Sequence, residues 1–274
     1  MKILIPTDFS EPSKLAISYA AKMAQKHHDE LILLNAVFID GPPKASVALK
    51  VNVIENAMAD RAKQDSIQLI DEIRAANKGK LNISYRIIKG YPVEDVVENF
   101  ATHHHIDLII MGTKGASGLK KVLLGSNTTA AISKSSIPLI VIPGLARFTD
   151  LKHIVYATDM TNINAEMKRL VPFAKLFDAT VHIIHIASSK ADAKIDTKET
   201  IDKLVTDTEY LKIAFHVSEN DDVLDGLDKY IAHVQADMLA MFTHDLGFFE
   251  KLFGRSVTRQ MAFHNSIPMI TLKK

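Results

Sequence analysis

The sequence predicts an α/β protein made of two doubly wound, five-stranded parallel-sheet domains. Three observations lead there. Short, near-continuously apolar runs alternate with amphipathic stretches along the chain, as expected of strands covered by helices on both faces. The back half of this pattern recurs: Ser136-Ile137-Pro138-Leu139 returns as Ser266-Ile267-Pro268-Met269, and Asp107-Leu108-Ile109-Ile110-Met111 as Asp237-Met238-Leu239-Ala240-Met241. The front half recurs too, with Pro6-Thr7-Asp8-Phe9 returning as Ala157-Thr158-Asp159-Met160. Repeats of this length mark duplicated domains.

The two offsets differ, from 130 residues at the back to 151 at the front, so about 21 extra residues sit between the second and third strands of the first domain. There residues 38–80 face a shorter stretch, 187–210. The first domain is read as residues 1–145 and the second as 151–274, with the linker after Pro143-Gly144. Strands are expected at 2–6, 30–37, 82–89, 107–111 and 139–142, then at 152–158, 180–187, 211–218, 237–241 and 269–272. Ser10 is a candidate N-cap with Pro12 in the first helical turn, and Leu15, Tyr19 and Met23 follow on one face. Further helices are expected at 60–76, 93–103 and 127–134. Ligands on such sheets bind beyond the carboxyl ends of the strands, where the strand order reverses.

Composition narrows the function classes. A net charge of +1 gives no bulk electrostatic attraction to nucleic acid or to a membrane surface. No stretch reaches the roughly 18 apolar residues of a membrane span. The amino terminus reads as a strand rather than a signal peptide. With no cysteine, disulfides, thiol catalysis and cysteine-bound zinc are excluded, and a cytoplasmic location is expected.

The main chemical signal follows the fourth strand: Gly112-Thr113-Lys114-Gly115-Ala116-Ser117-Gly118, then Gly125-Ser126-Asn127-Thr128 at the start of a helix. Glycines let the backbone approach a ligand closely, and successive N–H groups can surround an anion. The helix start adds unpaired N–H groups and the positive end of a dipole, with hydroxyls from Ser126 and Thr128. The loop lacks the Gly-Lys-Ser/Thr ending of a Walker A motif.

The spacing glycine, two residues, glycine, nine residues, glycine, serine, filled by Gly112, Gly115, Gly125 and Ser126, resembles the ATP-binding signature of the universal stress protein family. Ile5-Pro6-Thr7-Asp8-Phe9-Ser10, Leu33-Leu34-Asn35-Ala36 and the closing Ser136-Ile137-Pro138-Leu139 extend the resemblance along the domain. It implies a Rossmann-like fold of the adenine-nucleotide α-hydrolase type. It also implies ATP, or ADP or AMP retained from it, with magnesium accompanying the phosphates. Asp8 and Thr7 would approach the nucleoside, and the Ala36 backbone would meet the adenine. Gly112, Thr113 and Gly115 would flank ribose and phosphates, and Gly125, Ser126, Asn127 and Thr128 would cradle the phosphates. Stress response through ligand-dependent conformation or partner binding is the implied role. Turnover is expected to be slow at most, and no catalytic residue is assigned. An adenylating enzyme would need a glycine-rich loop after the first strand, which Pro6-Thr7-Asp8-Phe9-Ser10 lacks. A ligand-free interaction scaffold is the other alternative.

At the second loop Phe242, Asp245 and Arg255 replace Gly112, Gly115 and Gly125, while Ser256 remains, so the second domain is read as not binding ATP by this motif. Asp159, His185 and His244 would share its carboxyl edge and invite comparison with zinc ligands, but a structural role is the reading adopted, with no metal assigned. The run His103-His104-His105 is not read as a site, because neighbours on a helix point apart.

Single-domain members of the family pair through their last strands. The resemblance therefore implies that residues 139–142 and 269–272, two short apolar edges, pair within the chain as an approximate twofold pseudo-dimer, with a homodimer or another protein as further partners. Ile270→Pro, which removes a ladder donor, is expected to raise the protease sensitivity of the linker at residues 144–150. Scattering that showed two separate bodies, or separately expressed domains that never associated, would refute the pairing.

Overall fold

The computed structural model describes residues 1–39, 48–78, 81–113, 125–187, 195–243 and 266–273. The chain divides into two compact units between Gly144 and Leu145.

The first unit runs β1 (Lys2–Pro6), α1 (Glu11–His27), β2 (Glu30–Val37), α2 (Ala48–Ala76), β3 (Asn82–Lys89), α3 (Val93–His103), β4 (Leu108–Gly112), α4 (Ser126–Lys134) and β5 (Leu139–Ile142). Its strands lie in the order β3-β2-β1-β4-β5, all parallel, with Ile3 opposite Leu31 on one side and Leu108 on the other. The chain winds outward from β1 to β3, then crosses back to β4. The order therefore reverses between β1 and β4, the point beyond whose carboxyl ends sheets of this kind form a crevice. The middle of the sheet is buried on both faces, from Ile3, Leu4 and Ile5 to Ile109 and Ile110, which is why these strands read as unbroken apolar runs.

The second unit repeats this plan: β6 (His153–Ala157), α5 (Ile163–Phe177), β7 (Thr180–Ala187), α6 (Thr197–Thr208), β8 (Ile213–Glu219), α7 (Val223–Val234), β9 (Met238–Phe242) and β10 (Met269–Leu272). Its order is β8-β7-β6-β9-β10, again parallel. The fold class read from the sequence is therefore the observed one in each unit.

The extra residues of the first unit go largely into α2, which has 29 residues against 12 in α6. The sequence reading began this helix at residue 60, and the structure begins it at Ala48. Its first turns carry Val51, Val53 and Ile54, poor helix formers. Val53, Ile54 and Met58 are exposed, so no buried stripe announces a helix there.

The first turn of α1 needs a second correction. Ser10 occupies the N-cap position, but its side chain caps nothing; its hydroxyl donates to Asp8 instead. Side-chain capping does occur at Asp196, which accepts from the Glu199 N–H, and at Asp222, which accepts from Leu224 and Asp225.

On α7, burial together with the charges of Asp225 and Asp222 pushes the Asp228 carboxyl up to about 7. The folded unit thus binds a proton that the unfolded chain, at 3.8, releases. The resulting penalty is absent below the unfolded value and grows as pH rises toward 7. Asp228→Asn is expected to raise the urea midpoint of the second unit above pH 7 and to leave it unchanged near pH 3.5. An equal gain at both pH values would show that ionisation is not the cause.

Candidate functional site

The carboxyl edge of the first sheet is built from hydrogen bonds that close each strand end. The Thr7 N–H donates to the Leu34 carbonyl at 2.9 Å, joining β1 to β2 for the last time. The Thr7 hydroxyl accepts from the Phe9 N–H at 3.0 Å and shares a 3.0 Å bond with Ser13 on α1. Ser13 in turn donates to the Ser10 carbonyl at 2.9 Å. Asp8 accepts the Ser10 N–H at 3.1 Å and the Ser10 hydroxyl. The chain between Thr7 and α1 is thereby folded tightly enough that Phe9 adopts φ 62, a left-handed conformation that costs a bulky residue about 1–2 kcal/mol.

Asp8 remains exposed at this edge. Partial burial would raise its carboxyl, but the hydrogen bonds from Ser10 and Ser13 outweigh it and hold the group below the ordinary aspartate value. It is therefore an anion at neutral pH, suited to accept hydrogen bonds from hydroxyls. Asp8 forms this turn and does not cap α1.

Ala36 offers its backbone in the same crevice. The Leu34 carbonyl faces β1, and the Val37 carbonyl accepts the Gly90 N–H on the opposite side. Alternation along the strand therefore turns the N–H and C=O of Ala36 toward the β1 side, past the point where β1 has ended. Asn35, one residue earlier, donates from Nδ2 to the Thr7 carbonyl at 2.8 Å and pins the turn that carries Asp8. Sequence reasoning gave Asn35 no role of its own. Its signal was a lone amide in the apolar run of β2.

Gly112 closes β4. A Cβ built there would lie 2.2 Å from the Pro12 carbonyl oxygen and 2.6 Å from its carbon. The glycine is thus required by the first turn of α1, whatever occupies the crevice. No left-handed φ is involved at Gly112, and Gly125 has φ −61, so both positions supply room rather than a special conformation. Thr113 is buried, and its N–H donates to the Ile142 carbonyl at 3.0 Å, extending the β4–β5 ladder.

Helix α4 starts from this edge. Its N-cap is Gly125, which has no side chain to occupy the first N–H groups, and no acidic residue stands in the first turn. Ser126 and Asn127 are exposed. Thr128 is buried, and its hydroxyl donates to the Gly112 carbonyl at 3.0 Å. That bond ties the helix start to the end of β4 and commits the hydroxyl, leaving the backbone N–H as what Thr128 offers. The result is a nine-residue helix whose positive end is uncapped by any side chain among the described residues, with Lys134 in its last turn complementing the dipole. Gly115, with Lys114, Gly118 and Lys120, lies outside the described residues.

The second unit keeps the strand-end turn and changes the rest. Thr158 donates to the Ile184 carbonyl at 3.0 Å and accepts from the Met160 N–H at 3.0 Å. Asp159 accepts from the Thr161 N–H at 2.8 Å, and Met160 adopts φ 72. His185 takes the place of Asn35, its Nδ1 3.0 Å from the Thr158 carbonyl. That nitrogen braces the turn. Phe242 stands where Gly112 does. It is 6% exposed, and its ring meets Tyr156 edge to face at 5.7 Å. The Tyr156 hydroxyl bonds to Glu166 and to Thr158, where the first unit has apolar Ile5 and Leu15 and uses Ser13 to hold its threonine. Burial, and then the Glu166 charge, push this phenol far up.

His244, Asp245, Arg255 and Ser256 lie outside the described residues. Among the described residues no three histidines or carboxylates are grouped to hold a metal ion. In the run 103–105, His103 bonds to the Asn99 carbonyl, His104 stacks on Phe100, and His105 turns left-handed at φ 51.

Comparison with known proteins gives the family and the fold. Residues 1–143 match the model of the universal stress protein family. A universal stress protein of Methanocaldococcus jannaschii is 29% identical over 155 residues, covering 52% of this chain and 93% of its own. YxiE of Bacillus subtilis is 25% identical over 147 residues, covering 52% and 97%. The crystal structure of a universal stress protein from Archaeoglobus fulgidus matches 99% of this chain and 98% of its own, with a TM-score of 0.72 and 18% identity, a likeness of fold.

Gly112→Ala is expected to lower the stability of the first unit by about 1–3 kcal/mol with no ligand present, because Pro12 must move. Urea denaturation without nucleotide measures it. An unchanged midpoint would show that α1 shifts freely.

Proposed function

Because the chain belongs to the universal stress protein family, we propose that its first unit binds an adenine nucleotide of the ATP class. On this reading it acts in the stress response through the bound state rather than through sustained turnover. One observation carries the proposal: the uncapped start of α4, behind Gly125, opens at the edge where the strand order reverses. Free N–H groups and the helix dipole favour phosphate there. The signature spacing of Gly112, Gly115, Gly125 and Ser126 supports the same ligand.

Each part of a nucleotide has a matching group. The N–H and C=O of Ala36 suit the donor–acceptor edge of adenine. The Asp8 carboxylate suits ribose hydroxyls, with Thr7 and Asn35 holding it in place. The N–H groups of Ser126, Asn127 and Thr128 and the Ser126 hydroxyl suit the phosphates. Thr113 and Thr128 act by fixing the ends of β4 and α4. Magnesium would enter with the phosphates, bound through their oxygens and water.

The second unit has Phe242 buried at the Gly112 position, and its sequence places Asp245 and Arg255 at the positions of Gly115 and Gly125. One nucleotide per chain is therefore expected. Calorimetry with ATP should give a stoichiometry of about one, and protein denatured after purification should release adenine nucleotide detectable by mass spectrometry. Gly115→Asp, which copies Asp245, should abolish binding while the circular dichroism spectrum stays unchanged. A stoichiometry of about two would refute the silent second site. Undiminished affinity in Gly115→Asp would refute the phosphate loop.

A further inference from the structure

The second unit carries a histidine group that the nucleotide reading leaves unused. His153 opens β6, His182 lies on β7, and their rings meet: Nδ1 of His153 is 3.0 Å from Nε2 of His182, with ring centroids 5.1 Å apart. One of these nitrogens must carry the hydrogen that joins them. Helix α7 packs against β6 and β7. Its Tyr230 meets His182 edge to face at 6.4 Å and stacks on His216 of β8 at 5.0 Å, with the planes 7° apart. His233, on the same helix, lies 6.4 Å from Tyr230.

The first unit has no counterpart. Ile184 accepts from Thr158 as Leu34 does from Thr7, so His182 corresponds to Ile32, which is buried. By the sequence offsets, His153 corresponds to Lys2 and Tyr230 to Phe100. At these two positions the first unit has a lysine and an isoleucine, so the paired imidazoles belong to the second unit.

We propose that the His153–His182 pair is a proton-operated switch that loosens the β6–β7–α7 side of the second unit on acidification. With one shared hydrogen the rings attract. With both imidazoles charged, two cations would stand about 3 Å apart in a half-buried place, which the fold relieves only by separating them.

The surrounding charges do not offset this. Among the described residues neither ring has an ion pair with a carboxylate. The Asp237 carboxylate accepts the backbone N–H groups of Lys152 and His153 and the Thr149 hydroxyl. Lys212 pairs with Asp178 at 2.6 Å, and Lys229 with Asp225 at 2.6 Å. The Asp222 carboxylate caps α7. His216 and His233 are the other groups facing Tyr230.

Burial and the neighbouring His153 hold His182 below the ordinary histidine value. The unfolded chain, near 6.5, therefore takes up the proton first. Stability falls as pH drops through 6.5, by up to about tenfold in the folding equilibrium per pH unit for each proton. Asp228 works with the opposite sign over the same pH range, since the folded unit holds its proton more tightly, so the test is made with that contribution removed.

Hydrogen exchange followed by mass spectrometry tests the proposal on the full chain carrying Asp228→Asn, which removes the opposing contribution, comparing about pH 7.5 with about pH 5.5 after correction for intrinsic exchange. Peptides covering residues 153–157, 180–187 and 223–234 are expected to lose roughly tenfold or more protection at the lower pH, relative to the matching peptides of the first unit. His182→Ile, which installs the first unit's residue, should remove that loss. His153→Gln, which keeps a hydrogen-bonding side chain but cannot charge, should do the same and serves if His182→Ile does not fold. Equal relative protection at both pH values would overturn the switch, as would a loss that persisted in His153→Gln.

Discussion

The backbone of Pro12 lies where a side chain on residue 112 would have to begin. A Cβ at Gly112 would come within 2.2 Å of the Pro12 carbonyl oxygen, far inside any van der Waals contact. This approach lets α1 start directly over the end of β4. It thereby fixes the distance between the turn after β1 and the end of β4. Thr128 donates to the Gly112 carbonyl, so one residue seats two helices, α1 through its missing Cβ and α4 through its oxygen.

Most of the fold was legible in the sequence because buried parallel strands are hard to disguise. Ile3-Leu4-Ile5, Leu31-Ile32-Leu33-Leu34 and Leu139-Ile140-Val141-Ile142 have no solvent face, so no polar residue interrupts them. The start of α2 was illegible for the converse reason. Val53, Ile54 and Met58 are apolar but exposed, and without a buried stripe their β-branched neighbours argue against a helix. At the site the residues were legible but not their tasks. Gly112 stood out as a ligand glycine, yet its nearest constraint is Pro12. The Thr128 hydroxyl read as a phosphate donor, yet it serves Gly112. Hydrogen bonds between distant segments decide such matters, and they leave no periodicity to read. Asn35 shows the limit best: a single amide inside an apolar strand was visible, but its partner, 28 positions away at Thr7, was not.

The two units also separate what the fold demands from what a ligand would demand. The turn after the first strand is the same in both: a threonine hydroxyl accepting an N–H two residues on, an aspartate accepting the next, and a bulky residue in the left-handed region between them. Even the brace on the threonine carbonyl survives, as Asn35 in one and His185 in the other. A strained turn kept in both units is a device for joining a buried strand to its helix, and Asp8 or Asp159 alone is weak evidence of a nucleotide. The units diverge at the fourth strand of each sheet. There the first ends in a glycine and opens onto an uncapped helix. The second ends in a phenylalanine packed on a tyrosine, above a buried carboxylate. That exchange replaces close backbone approach with side-chain bulk. Evidence for a ligand is therefore strongest at the β4–α4 edge, and the differences between units are more informative than the similarities.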